Sequence, residues 1–489
     1  MKKNISIKGI FIVALVSLSL FMSGCSDFLD KLPENTVAQE EVDYTNLNNM
    51  YMPVSGVYAV AAYKFSFWGA YGLIAVRGDD VDKGSAPNDQ IEFNYAKQFQ
   101  YDRITGFWAL NSTWEGLYNV VTTANAALES LDRYKENITS SADMERYNQY
   151  TAEVRFLRAM AFYRITQYWG AAPILIDNQA LTVEKNSIEE VRQFIQDEMD
   201  YCIAHLPDLR PNEVPNKPGA VTKYSALMLK AKVALLDEDY ATVLTATQEI
   251  IDSKKFELYP DFYQLFKIPG KLSNESLYEL QFTDFGTGSG DAVTSDAWFA
   301  FQGPRNGISP IQGWGFMVPT QEIRSFMAER NDSVRAKTTF LYAGRRTPSG
   351  DTIPPGNPGE PDCYNGKAYT PANQMTPGRS EYGMNNNIRV FRYADVLLMN
   401  AEAKVRAQQN GDEPFNLVRT RAKLSPITNV TLDQILDERR AEFAMEWGER
   451  FFDLVRTGKA PDVLSGFVPG ESEYYPIPQN QIDLNPNLK

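Results

Sequence analysis

An all-α-dominated chain, in which a tetratricopeptide-like scaffold of helix pairs carries a loop-rich, irregular subdomain, is the fold class that the sequence predicts. Three observations lead there. Long stretches keep apolar residues on one 3.6-residue stripe behind helix-capping signals. Small residues such as Ala226, Ala231 and Ala234 recur where paired helices would cross. From 256 to 390 the helical period fails and Gly, Pro, Asn and aromatic residues take over.

Taken in order, the first element is an address. Lys2, Lys3 and Lys8 precede an apolar run from Ile10 to Met22 that ends in Ser23-Gly24-Cys25. This is the pattern of a secretory signal peptide over residues 1–24. The run is shorter than the roughly 20 residues that a bilayer-spanning helix needs. The junction Met22-Ser23-Gly24-Cys25 resembles the lipobox of bacterial lipoproteins, with Met where Leu is usual, and implies that Cys25 is the lipidated first residue of the mature chain.

Residues 25–255 read as an N-terminal helical scaffold interrupted by an aromatic, irregular segment near 63–107. Ser112-x-x-Glu115 and Ser187-x-x-Glu190 are capping boxes that each open a long helix. Another helix is predicted over 143–169, closed by Gly170 and Ala172-Pro173. Thr222 caps a helix through Leu236, the turn Asp237-Glu238-Asp239 follows, and Tyr240–Ile251 is its antiparallel partner. Residues 256–390 form the irregular subdomain, punctuated by Pro348, Pro354, Pro355, Pro358, Pro361 and Pro371, with one short helix near Gln321–Glu329. Such a tract in a folded chain marks a functional surface, so this is the expected ligand-binding subdomain. Residues 391–489 complete the fold with helices over Phe391–Ala407 and Pro414–Ala422. A third is read as continuous from the Thr431-x-x-Gln434 box to Gly458, on a stripe of Leu432, Leu436, Phe443, Trp447, Phe451 and Leu454.

Composition narrows the chemistry. The 489 residues exceed what one core normally serves. Acidic residues number 62 against 48 basic ones, a formal charge of -14; without residues 1–24 the balance is 45 against 62, or -17. Such a chain repels a phosphate backbone, and nucleic acid is excluded as a partner. The single histidine, His205, ends a helix just before Pro207, which leaves no material for histidine catalysis or a multi-histidine zinc site. No nucleotide-cradling glycine motif occurs, and no cofactor or metal is assigned. Whether Cys202 and Cys363 pair stays open, as does calcium near Asp79, Asp80, Asp82 and Asp89, where the terminal glutamate of a calcium loop is lacking.

What remains is aromatic: 26 Tyr, 27 Phe and 7 Trp. Trp108, Trp114, Trp169 and Trp447 fall on helical stripes and are expected in the core. Trp68, Trp298 and Trp314 lie in glycine-rich irregular segments, where an exposed indole offers a platform to the C–H face of a sugar ring. The candidate ligand-binding residues are therefore Trp68, Tyr71, Trp298 and Trp314, with Arg77, Asp79 and Asp80 as hydrogen-bonding partners for hydroxyls at the rim. The competing reading makes these aromatics plugs that anchor long loops.

The C-terminal quarter carries a family resemblance. Arg392-Tyr393-Ala394-Asp395-Val396-Leu397-Leu398-Met399-Asn400-Ala401-Glu402-Ala403, the run Glu438-Arg439-Arg440-Ala441-Glu442-Phe443-Ala444-Met445-Glu446, and Arg450-Phe451-Phe452-Asp453-Leu454 resemble signature helices of SusD/RagB-like outer-membrane lipoproteins. The ending Tyr475-Pro476-Ile477-Pro478-Gln479 and the start Cys25-Ser26-Asp27-Phe28-Leu29-Asp30 are similar to the family's termini. The resemblance implies a noncatalytic, lipid-anchored, cell-surface protein of the outer membrane. It would bind polysaccharide or oligosaccharide and pass it to a SusC-like TonB-dependent transporter. Within the same architecture the alternative ligand is a peptide, as for RagB. A surface glycoside hydrolase, which needs two facing carboxylates, is the reading from a different class. The signature residues Glu438, Arg439, Arg440 and Arg450 look like a charge network that locks the last helices, and no ligand contact transfers by motif.

Overall fold

A computed structural model describes residues 42–179, 183–283, 295, 297–305, 307, 310–376, 383 and 385–489. The predicted signal peptide and Cys25 lie outside the described residues. Two compact units are distinguished, Met1–Asn49 and Met50–Lys489. In the first, Asp43 Oδ1 accepts from the Thr45 amide at 3.0 Å, an Asx turn. All the elements that follow belong to the second.

Helices dominate it. The first group is α1 (Met52–Phe65), α2 (Trp68–Ala75), α3 (Glu92–Lys97), α4 (Trp108–Lys135), α5 (Ser141–Trp169), α6 (Ile188–His205), α7 (Lys223–Leu236) and α8 (Tyr240–Asp252). From α4 to α8 each helix packs on the next, the helix-pair stacking that the small residues predict. The capping box at Ser187 forms with both its bonds, and at Thr222 the Ser225 hydroxyl accepts from the Thr222 amide at 3.1 Å. The box at Ser112 does not open a helix: α4 starts four residues earlier, and Ser112 lies inside it.

The segment 63–107 departs from its irregular reading. It contains the end of α1, all of α2 and α3, and the strand β1 (Val81–Gly84). The glycines of α2 hide the helix from a propensity argument, since each weakens it by about 1 kcal/mol. Packing explains Gly72, where a Cβ would meet the Phe93 ring at 2.5 Å.

Among the described residues, 256–390 hold a one-turn helix over Phe262–Leu265 and three further short helices, α9 (Trp298–Gln302), α10 (Gln321–Glu329) and α11 (Ser333–Thr339), among loops and two-stranded ribbons. β2 (Ser276–Leu280) pairs antiparallel with β6 (Ile388–Arg392), which draws the two ends of the irregular tract together. β1 pairs with β3 (Phe316–Pro319), and β4 (Phe340–Tyr342) with β5 (Cys363–Asn365). Beyond them stand α12 (Tyr393–Arg406), α13 (Asp412–Arg421), α14 (Leu432–Phe443) and α15 (Glu449–Arg456).

The continuous C-terminal helix of the sequence reading is two helices. Met445 and Gly448 take positive φ of 65° and 72°, and the chain turns between α14 and α15. The break lets Trp447 Nε1 donate to the Arg389 carbonyl at 2.7 Å. It also places Glu449 and Asp453 of α15 around Arg439 of α14. Around these helices the core is ionic. Arg335 meets Asp332, Glu438 and Glu442; Arg392 meets Glu275, Glu442 and Glu446; Arg439 meets Asp395, Glu449 and Asp453. Each of these arginines is fully buried, so every charge depends on its partners. Cys202 and Cys363 are both buried and free, and His205 packs on Tyr201 with ring centroids 4.3 Å apart.

Candidate functional site

The site is built where α2, the start of α4 and the loop before β3 meet. Trp68, the first residue of α2, is half-buried. Its ring centroid lies 5.0 Å from that of Trp108, the first residue of α4, and 5.5 Å from Trp314, which it meets edge to face at 89°. Phe67 packs against both Trp68 and Trp108. Phe301 of α9 backs Trp68 at 4.8 Å and stacks on Phe316 of β3. Trp108 and Trp314 remain 40% and 41% exposed, and no other tryptophan among the described residues is so open. The result is a cluster of three indoles on a rigid aromatic base. Tilted and edge-to-face pairs are the favoured geometries for such rings.

Backbone holds the platform in place. Trp314 N donates to the Ala300 carbonyl at 2.7 Å, and Gly315 N to the Gly303 carbonyl at 2.9 Å. The Gly315 carbonyl accepts from Ser85 N at 2.7 Å, at the end of the β1–β3 ribbon. That approach requires Gly84, with φ of +67°, because a Cβ there would lie 2.3 Å from the Gly315 carbonyl oxygen. The following loop wraps the Lys83 ammonium, which donates to the carbonyls of Gly84, Ala86 and Asp89. At its far end Gln90 Oε1 accepts from Trp108 Nε1 at 2.8 Å and fixes the indole.

Five of the seven candidate residues lie elsewhere or are committed. Tyr71 and Trp298 are 1% and 5% exposed and pack with Trp447 in a second, interior cluster: Tyr71–Trp298 at 4.2 Å, Trp298–Trp447 at 4.7 Å. Tyr71 donates its hydroxyl to the Met445 carbonyl. Arg77, 1% exposed, is not a rim donor. Its guanidinium lies 4.2 Å from the Phe451 ring centroid and 4.8 Å from Tyr475, and it donates to the carbonyls of Gln167 and Glu473. Asp80 is buried and bonded by Arg440 Nε and Nη2 at 2.9 and 2.7 Å.

Asp79, partly buried, is likewise held, by Arg440 Nη2 at 2.8 Å and Arg450 Nε at 2.9 Å. The two aspartates are therefore one half of an ion-pair group that ties the segment after α2 to α14 and α15, which corrects their reading as free hydroxyl acceptors. Burial pushes the Asp80 carboxyl up to about 6 against the pull of Arg440. Asp79, also opposed by burial, is brought below the ordinary carboxylate value by Arg450 and Arg440. The remaining acids near them are also engaged, Asp82 with Lys97 and Asp89 with Ser85 Oγ. Among the described residues no group of three potential metal ligands converges.

Of the candidates, then, the geometry brings Trp68 and Trp314 together and adds Trp108 and Gln90, which sequence reasoning missed. Trp108 lay on a helical stripe and was assigned to the core. The overlooked signal is its position as the first residue after Gly106-Phe107, where a helix has no preceding turn to cover it.

Comparison with known proteins agrees along the chain. The family model described as "SusD family" matches residues 274–468, and that described as "Starch-binding associating with outer membrane" matches 27–235. A SusD-like protein from Bacteroides ovatus is 27% identical over 481 residues, covering 91% of this chain and 82% of the relative. The starch-binding protein SusD of Bacteroides thetaiotaomicron is 26% identical over 405 residues, 69% of this chain and 71% of its own length. Among solved structures, surface glycan-binding protein A from Bacteroides thetaiotaomicron in complex with laminarihexaose superposes with a TM-score of 0.74 at 24% identity, over 90% of this chain and 98% of that one. The signature helices, the helix-pair scaffold and the two family matches, which between them take in most of the sequence, make this chain a member of the SusD-like family.

Proposed function

We propose that this protein is a noncatalytic surface glycan-binding protein that captures an oligosaccharide or polysaccharide on the Trp68–Trp108–Trp314 platform. The observation that carries the reading is two indoles left about two-fifths exposed on a preorganised aromatic base. Leaving such apolar area in water has no folding benefit, whereas sugar rings present C–H faces that stack on it. The relatives that bind starch and laminarihexaose support the ligand class. Binding without hydrolysis is supported by the commitment of Asp79 and Asp80 to ion pairs with Arg440 and Arg450.

In this reading Cys25 carries the lipid anchor, the chain stands on the outer-membrane surface, and a SusC-like TonB-dependent transporter receives the glycan. The segments 63–107 and 256–390 supply the ligand face, and the helical segments are its support. Each platform contact contributes roughly 1–2 kcal/mol, so single sugars bind weakly and long chains gain by multiple contacts. The test is affinity electrophoresis of the mature, unlipidated chain through gels containing a panel of polysaccharides, with reducing ends assayed in parallel. Retardation by a glycan, abolished in Trp108→Ala/Trp314→Ala and without sugar release, is the expected result. Retardation that survives the double substitution, or release of reducing ends, overturns it.

A further inference from the structure

A second pocket has a different chemistry. It lies between α11 and the loops that flank β4, with a volume of about 460 Å³, and shares no lining residue with the indole platform. Its floor is apolar and closed: Thr338, Phe340, Leu341, Ile353 and Tyr369 are all buried. Its rim is cationic. Lys337, Arg345 and Arg346 line it, all three are exposed, and none has an ion-pair partner among the described residues. No Asp or Glu lines the pocket.

That arrangement is unusual in this molecule. The chain has an excess of acidic residues, and the buried Arg335, Arg392, Arg439 and Arg456 are each matched to carboxylates. Three unpaired cations on one concave rim therefore make a local positive field that the rest of the fold does not neutralise. The neighbouring acids are engaged: Asp351 accepts from the Tyr369 hydroxyl and from Ala372 N at 2.9 Å, and Asp362 pairs with Arg324 at 3.0 Å. Arg346 is braced by its Nε on the Gly350 carbonyl at 3.1 Å. Arg345 Cζ lies over the Tyr342 ring, 4.9 Å from its centroid, a cation–π contact. Tyr263 and Tyr342 line the wall. Guanidinium edges recognise planar carboxylates and sulfate oxygens in pairs, and the tyrosines suit a pyranose ring.

We propose that this pocket is a second saccharide site, selective for an anionic sugar unit, with the acid group held by Lys337, Arg345 and Arg346 and the ring set against Tyr342 and Tyr263. The ligand class rests on the glycan-capture reading; the charge selectivity rests on the pocket alone. It gives the protein two unlike contacts on one chain, a neutral stacking platform and an anion-selective pocket.

The experiment is calorimetric titration of the mature, unlipidated chain with three probes: a trigalacturonate, a sulfated chondroitin disaccharide and neutral laminarihexaose. Wild type and Lys337→Gln/Arg345→Gln/Arg346→Gln are compared at 50 and 500 mM NaCl. The expected result is binding of at least one anionic probe, weakened tenfold or more by the triple substitution and by high salt, with any binding of the neutral probe unchanged in both. Preference for the uronate or for the sulfate tells which acid group the site takes. Absence of binding by both anionic probes at low salt, or anionic binding insensitive to the triple substitution, overturns the proposal. Neutral glycan binding lost on Trp108→Ala/Trp314→Ala while the anionic site fails leaves the platform reading standing, so the two failures are separable.

Discussion

Two aromatic clusters grow from the same eight-residue helix and have opposite fates. Trp68 at the start of α2 joins Trp108 and Trp314 at the surface, while Tyr71 three residues later joins Trp298 and Trp447 inside. Ring spacings are similar in both, 5.0 and 5.5 Å in one and 4.2 and 4.7 Å in the other. What differs is the closure of the shell. The inner cluster is covered by Arg164, 4.1 Å from the Trp447 ring centroid, and anchored by bonds to the Met445 and Arg389 carbonyls. The outer one is fastened from below and left open above. An indole contributes its apolar area either to the fold or to a ligand, and burial decides which.

The comparison breaks most readily at Trp447. Trp447→Ala removes the ring that Trp298, Tyr71 and Arg164 all contact, and it leaves the Arg389 carbonyl without its donor. A loss of about 3–5 kcal/mol is expected, the range for deleting a buried large aromatic, read as a lower urea midpoint at constant slope. A loss below about 1 kcal/mol would mean that the inner cluster is no more structural than the outer one.

A second break lies in the ionic core. Burial alone would raise the Glu442 carboxyl, but Arg421, Arg392 and Arg335 around it hold it down to about 2. The same opposition, with Arg439 and Arg456 prevailing over burial, brings Asp453 to about 2. For such groups the stabilisation is complete above the unfolded carboxylate range near pH 4–4.5 and is lost as the pH falls toward 2. Glu442 alone corresponds to roughly 3 kcal/mol. Asp80 works the other way: its raised pKa makes its contribution largest at acid pH, and this declines as the pH rises through about 6. Stability measured from pH 7 to pH 2.5 should fall steeply below pH 4.5 in the wild type. Glu442→Gln should start several kcal/mol lower and fall less steeply; parallel curves would contradict the assignment.

These cases also mark what the sequence discloses. The helix pairs from α4 to α8 follow from apolar spacing, from the box at Ser187 and from the helix start at Thr222, because these signals are local. The break after Phe443 is not local. Its stripe stays periodic through Trp447 and Phe451, and only the positive φ at Met445 and Gly448 splits it. The candidate site was half legible. Glycine beside tryptophan, read as room for a flat ligand, picked out Trp68 and Trp314, which the fold brings together, yet the same cue chose Trp298, which faces inward. Asp79 and Asp80 resembled a polar rim because their partners Arg440 and Arg450 lie some 360 residues away in sequence. Exposure and long-range charge pairing are properties of the assembled shell, and no window of neighbouring residues contains them.

The smallest expected effect on stability is the most informative about function. Trp314 is joined to its neighbours by edge contacts and main-chain bonds, and a side chain 41% exposed surrenders little apolar burial when truncated. Trp314→Ala should therefore shift the unfolding free energy by less than about 1 kcal/mol. Its backbone bonds to Ala300, and those of Gly315 to Gly303, need no side chain and persist. If the platform stacks sugars, the same substitution weakens retardation by the glycan that the wild type binds by about tenfold, the equivalent of one lost stacking face. A large stability loss with unchanged glycan affinity would reverse the comparison, making Trp314 a loop anchor and leaving Trp108 as the remaining open face of the outer cluster.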